Sequence, residues 1–496
     1  MRRSYPYMMA CLCAFGFFSI QYDAQADVEP GFFEEEFEEF IEEEALEDYV
    51  EEAYEEEPQI TGCILDTEAR VGVLCENWSA RLTARLFTDA LFVNSDSPVA
   101  GQGRGQFKPL SSGAGVRSAR IGIAGTFYRH WTYKLDYDFR QRTTKRQNPN
   151  NDRGRITDAY IGYKGVRDFT FQVGIIKTPY DLTQANDSRF DVFMEGFFGD
   201  SFGITKPRYP AVQVSYRHRD KKTTAMVGAH LEQHDLDVAY DEGGDDVGIY
   251  GRITHAPYME GNWYSHVGVG GKYLNQNGAA TAQNFRSIAP FTQAFIDVDT
   301  DVLFNANNNH AIRTVGGVPT APNSDSFYIL SLEAAGGWKN YGGQMGYTRI
   351  GHDRAVGDDV GHHLFYIQGN WWLTGERNAY IAEQGVFGRV LPIRRLGAGG
   401  MGAVGLSLRY HLLNLDDSET PLANNVGFNE GGRLWGITAG VTWKINPYIK
   451  LIGEYVHVEQ SNYACASIQG AGAPDATRCP SDLHHRGVQL RAQMDF

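Results

Sequence analysis

Eight cations sit where a strand would turn its polar side: Arg81, Arg85, Arg120, Lys134, Arg217, Arg409, Lys444 and Arg491, mostly between apolar or aromatic neighbours. Guanidinium and ammonium groups spaced along a wet wall attract anions and pass them from one set of donors to the next. The same groups can instead pair with carboxylates on their own face. Asp89, Asp136, Asp138, Glu333 and Asp495 are the candidate partners, and a paired arginine adds little net potential. A second concentration of charge lies at 178–208, where Asp181, Asp187, Asp191, Glu195 and Asp200 stand against Arg189, Lys206 and Arg208. A mixed-charge loop of this kind is suited to narrowing a channel. Signatures of enzymes are missing: the chain has no GxSxG elbow, no HExxH and no Walker-type phosphate loop. His362-His363 and His484-His485 are adjacent pairs whose rings point to opposite faces of a strand, so no metal site, cofactor or nucleic-acid partner is expected.

The elements that must position these groups are strands. From Ser79 onward the hydrophobic period is two. Trp131, Tyr133, Leu135, Tyr137 and Phe139 fall on one side, and Thr132, Lys134, Asp136, Asp138 and Arg140 on the other. A helix would mix those sets. Segments of about 9–11 residues match a tilted membrane strand, and sixteen of them can be counted, from 79–93 to 486–496. Long connections (94–116, 141–154, 178–208, 274–325, 414–432) mostly alternate with tight ones, as loops and turns do in an outer-membrane barrel. Segment 374–401 breaks that rule, being long where a periplasmic turn belongs; an inserted turn or a miscounted strand would each explain it. Abundant Gly (56), 13% aromatic residues and only 21% charged residues fit the same architecture. A mean hydropathy of −0.38 does not exclude it, because only alternate residues face lipid. The reading is an all-β, 16-stranded antiparallel transmembrane β-barrel over 79–496.

The amino-terminal part reads differently. Residues 1–26 have the form of a cleaved signal peptide: Arg2 and Arg3, an apolar Met8–Ile20 run, then Ala24-Gln25-Ala26. The run is too short to span a bilayer. Residues 27–58 form an acidic segment expected in the periplasm, with 17 acidic residues and no Lys or Arg between Asp27 and Glu57. Apolar residues from Phe33 to Tyr54 punctuate it, so it is either a helix with one apolar stripe or a solvated, disordered tail. The formal charge of −16 belongs to this segment; residues 58–496 are close to neutral. Residues 59–78 are expected to link it to the barrel. Two local cysteine pairs, Cys63–Cys75 and Cys465–Cys479, favour disulfides in an exported chain, since neither has metal-type CxxC spacing.

The last strand, Gly487 to Phe496, alternates cleanly and ends in an aromatic residue, the type of terminus that the barrel-assembly machinery engages. Several segments then resemble the phosphate-selective porin O and P family. Arg120–Phe139 (RIGIAGTFYRHWTYKLDYDF) is similar to its early hairpin, and Ile156–Gly165 with Phe171–Pro179 to the next. Ser188–Glu195 (SRFDVFME) resembles the start of its channel loop, and Tyr366–Glu376, Leu406–Leu415 and Gly440–Val458 its closing strands. The resemblance implies a sixteen-stranded barrel in outer-membrane lipid, usually a homotrimer, that passes anions such as phosphate by passive diffusion. It does not extend to the acidic run or the cysteines. No lysine stands mid-loop in 178–208, whereas phosphate-specific members present lysines near the eyelet. A general or mixed-selectivity porin therefore stays open, as does a barrel-anchored binding protein acting through its acidic segment.

Overall fold

A chain that alternates polar and apolar residues over so many segments must bury every strand edge, and closure into a barrel does so. The computed structural model describes residues 64–66, 72–75, 77–95, 112–140, 154–196, 208–232, 246–275, 286–287, 304–305, 313–315, 318–320, 324–354, 359–414, 417–421, 428–429, 433–461 and 482–496. The leader, the acidic run, Lys206, Cys63, Cys465 and Cys479 lie outside the described residues.

Sixteen strands form the wall. They are β1 (Trp78–Ser95), β2 (Gly113–Phe127), β3 (Trp131–Asp138), β4 (Arg155–Val166), β5 (Phe169–Lys177), β6 (Arg208–Arg217), β7 (Thr223–Glu232) and β8 (Asp246–His255). Then come β9 (Trp263–Asn275), β10 (Ser324–Trp338), β11 (Tyr341–Arg354), β12 (Val360–Trp372), β13 (Ala403–Asn414), β14 (Arg433–Lys444), β15 (Ile449–Ser461) and β16 (Leu483–Asp495). Each pairs antiparallel with its neighbours, and β16 returns to β1 with Arg491 opposite Asp89, which closes the ring. Phe496 completes that seam through paired backbone hydrogen bonds with Ala84 of 3.0 and 3.1 Å. Below this point the edge of β1 is covered by Gly72–Cys75, which pairs with Trp78–Arg81 and with Ile64–Asp66. Part of the expected linker is thus strand. Cys75 is disulfide-bonded.

Burial is inverted relative to a soluble protein. Val227 and Leu408 on the outside are 61% and 58% exposed, while inward Ser331, Thr438 and Gln489 are completely covered. The outside is therefore the lipid wall and the inside the polar wall. At the tight-turn end the outward aromatics form a girdle, with Phe127 stacked on Trp131 at 5.9 Å, Trp263 on Trp338 at 5.5 Å and Tyr341 on Trp371 at 5.7 Å. No helix among the described residues is long and apolar enough to cross a membrane; the crossing is made by strands.

Segment 374–401 does not conceal a further barrel strand. It connects β12 to β13 and forms a small inserted ribbon, Tyr380–Ile381 paired with Val386–Phe387. The long-turn alternative raised by the sequence is the one observed.

Candidate functional site

Two inserted segments enter the lumen, one from each end. The first leaves β5. Its short helix α1 (Leu182–Ala185) is capped by Asp181, whose Oδ1 accepts from the Gln184 amide and the Thr183 hydroxyl, both at 2.8 Å. Gly270 of β9 lets this segment approach: a Cβ there would stand 2.2 Å from the Tyr180 carbonyl oxygen. The chain then crosses to the far wall, where side chains of β13–β16 satisfy its backbone. Lys450 donates to the carbonyls of Arg189 and Asp191 at 2.8 and 2.9 Å, Gln493 to Arg189 at 2.9 Å, Thr442 to Val192 at 3.2 Å and Arg409 to Glu195 at 2.9 Å. Glu454 accepts from the Met194 amide at 2.6 Å. Irregular backbone packed against the wall at membrane depth requires such partners, since no water reaches it there. Burial raises the Asp181 carboxyl to about 6 and that of Asp191 to about 7, in the latter case despite the nearby Lys450 and Lys177.

The second insertion is 374–401, anchored on β8–β10 and β14. Arg252 donates to the Gly385 carbonyl and to Glu333, both at 2.7 Å, and Glu333 also faces His266 Nε2 at 2.9 Å. The other nitrogen of His266 meets the Tyr380 hydroxyl at 2.7 Å. Gly385 adopts φ +63°, and a Cβ would lie 2.3 Å from Thr254 Oγ1, so only glycine fits. Lys444 donates to the Val390 carbonyl at 3.0 Å, and Asn186 accepts from the Phe387 amide at 3.0 Å, which ties the two insertions together. The seam between them holds a cavity of about 40 Å³ lined by Asn186, Asp191, Tyr264, Gln344, Asn370 and Asn378. That is room for a few waters, not for a solute stream.

The remaining lumen runs along β1–β6, and partly exposed inward cations collect there. Arg85 and Arg120 are direct cross-strand partners, and Arg120 in turn faces Asp138. Like charges opposed in one row repel. Asp138 grips Arg120 at 2.8 Å, and Asp187 of the inserted loop holds Arg85 at 3.5 Å and Arg189 at 2.8 Å. Lys134 lies 3.6 Å from both Asp136 and Asp158, and Arg208 forks Asp158. The Arg85, Arg120, Lys134 and Arg208 side chains keep 11–16% exposure, whereas Arg491 keeps 2%. Water reaches the first group.

The eight sequence-selected cations all point inward, but they divide. Arg81, Arg85, Arg120 and Lys134 lie on the open side; Arg217 stands at the tight-turn mouth, 3.3 Å from Glu383. Arg409 and Lys444 are covered by the insertions and donate to their carbonyls. Arg491 binds Asp89, Glu195 and the Met194 carbonyl. Of the loop residues, Asp181 is a helix cap and Asp191 lines the seam. Arg189 pairs with Asp187 and Glu195 with Arg117 and Arg491, while Arg208 opens β6. Sequence alternation missed Arg117. A bulge opposite Phe87–Thr88 inserts it as the extra residue, and it clamps Glu195 at 2.7 and 3.0 Å. The available signal was a charge misplaced on the apolar face shared with Ala119, Ile121 and Ile123. Lys177, which donates to the Asn186 carbonyl at 2.8 Å, was also missed.

A closed antiparallel barrel with an inserted loop and a cation-rich passage is the geometry of a diffusion channel, and the sequence comparison agrees. The family model for phosphate-selective porin O and P matches residues 101–496. The chain belongs to that family. This porin is 25% identical over 366 residues to Porin O of Pseudomonas aeruginosa, covering 68% of this chain and 75% of the relative. It is also 25% identical over 320 residues to an uncharacterized protein of Caulobacter vibrioides, covering 62% and 57% respectively. Among solved structures, the anion-selective porin from Comamonas acidovorans aligns with 84% of this chain and 100% of its own, at TM-score 0.46 and 14% identity. The porin is a channel of the bacterial outer membrane.

Proposed function

We propose that this porin passes small anions, phosphate among them, by passive diffusion along the β1–β6 side of the lumen, as a homotrimer. The observation that carries the reading is the adjacency of Arg85 and Arg120 in one row, with Arg117, Lys134, Arg208 and Lys177 around them. A low-dielectric wall focuses the field of such a group. The interspersed carboxylates Asp138, Asp158 and Asp187 favour an oxyanion that carries its own O–H: hydrogen phosphate can donate to a carboxylate while its other oxygens accept from arginine, which chloride cannot. The family name supports the same substrate class. The test is chloride current through single channels in a planar bilayer, with phosphate added at constant ionic strength. Dose-dependent block of chloride current supports phosphate as a preferred solute. Unblocked anion current would leave a general anion pore and remove the phosphate assignment. Three equal closure steps per insertion event would support the trimer.

A further inference from the structure

The lipid wall is apolar over most of its circumference, but not at the long-loop end of β11–β16. Arg349 on β11, His363 on β12, Arg433 on β14, His457 on β15 and His484 and Arg486 on β16 all occupy outward positions there. Arg349 shares its face with exposed Met345 and Tyr347, Arg433 with Ile437 and Val441, and Arg486 with Val488 and Leu490. Register brings them together. Arg349 faces His363, Asn414 links His363 to Arg433, and His457 faces Arg486. The matching rim of β2–β9 presents Val116, Phe139, Ile156, Leu231, Val247 and Tyr273 instead.

The level of this band follows from the outward aromatics. His363 precedes Trp371, and Arg433 precedes Trp443, by eight and ten residues on the same outward faces. For strands tilted as in outer-membrane barrels that is about 20–25 Å, the height of the apolar band. The cations therefore lie at the headgroup layer of the leaflet opposite the tight-turn girdle. Aromatic rings accompany them: the Tyr347 hydroxyl meets His363 Nδ1 at 2.6 Å, and Trp435 meets His457 edge-on at 5.7 Å. Among the described residues the outward acids of this rim are Asp353, bound by the Ser326 hydroxyl, Asp359 and Asp482 at loop edges, and Glu459, which lies 3.3 Å from His457 and 3.4 Å from His484. Arg349, Arg433 and Arg486 have no carboxylate partner among the described residues.

A guanidinium on a lipid wall is tolerated at the interface, where it can fork a phosphate. We propose that Arg349, Arg433 and Arg486 form a docking surface for a phosphorylated glycolipid of the outer leaflet, its acyl chains lying on the apolar wall beneath. Charge complementarity selects the occupant: the three cations look out of the barrel, away from the aqueous passage, and the anions available at that level are lipid phosphates. The proposal rests on the outer-membrane placement and not on the solute assignment.

The experiment uses the full folded chain in neutral detergent. It follows the temperature at which heat-modifiable gel migration is lost as diphosphoryl lipid A, dephosphorylated lipid A of the same acylation, or inorganic phosphate is added. Diphosphoryl lipid A is expected to protect the wild type with an affinity about tenfold above that for R349A/R433A/R486A, while the triple lysine variant keeps most of it. Channel conductance, identical in wild type and variant, certifies folding; if the triple variant does not fold, Arg433→Ala and Arg486→Ala are measured singly. Equal protection by dephosphorylated lipid A, full protection of the alanine variant, or protection by inorganic phosphate alone would each overturn the assignment.

Discussion

Arg85 is restrained by Asp187 at 3.5 Å and by the hydroxyls of Ser118 and Ser188 at 3.1 and 3.3 Å. Its charge is thus held at the wall of the passage instead of swinging into it. A unit charge at ~6 Å in a wet environment acts with about 0.5–1 kcal/mol, so Arg85→Ala should lower the anion-over-cation permeability ratio roughly two- to fivefold. Asp187→Ala should raise it, read from reversal potentials. Asp191 supplies a pH dependence. Its carboxyl titrates near 7 because burial disfavours the charged form; it holds its proton below that pH and loses it above. Anion selectivity should accordingly fall as pH rises from 6 to 8, and Asp191→Asn should flatten that slope. A profile unchanged by the substitution would mean that permeating ions do not feel the charge of Asp191 in the seam beside the passage. Alternation alone placed Arg85, Arg120 and Arg491 on the inner face, because side-chain direction in a strand is a local property. It did not reveal that Arg491 is covered by Met194 and Glu195, for those contacts join residues almost three hundred positions apart.

At the scale of elements, the two insertions convert a wide cylinder into a one-sided channel. Arg491 is the cation between Asp89 and Glu195, at 2.7 and 2.9 Å. Arg491→Met leaves buried carboxylates short of compensation and should cost about 3–5 kcal/mol, seen as a lower urea midpoint and faster proteolysis within 182–196. Replacing 377–393 by a short turn removes the ribbon that fills the β8–β14 side. The folded barrel should then show a larger unit conductance and weaker selectivity, while an unchanged conductance would mean that the ribbon does not bound the passage. All sixteen strands were legible in the sequence because the lipid imposes strict alternation on each. The anomalous length of 374–401 was legible as well. Its inward course was not, since it depends on Arg252, Glu333, His266 and Lys444, four residues on four different strands.

Over the whole molecule, charge is partitioned by region. The acidic run at 27–57 carries the net negative charge, the passage an excess of cations, and the β11–β16 rim three outward arginines. A porin whose selectivity arises inside the barrel should be indifferent to the acidic run, so deletion of residues 27–57 behind an intact leader should leave unit conductance and selectivity unchanged. Loss of the anion preference would move the filter out of the lumen. The most direct measurement is the reversal potential of the purified wild-type channel across a potassium chloride gradient. The account predicts the sign of an anion-selective pore, reduced in magnitude by Arg85→Ala. A cation-selective sign, or an absence of conductance steps from folded protein, would contradict it.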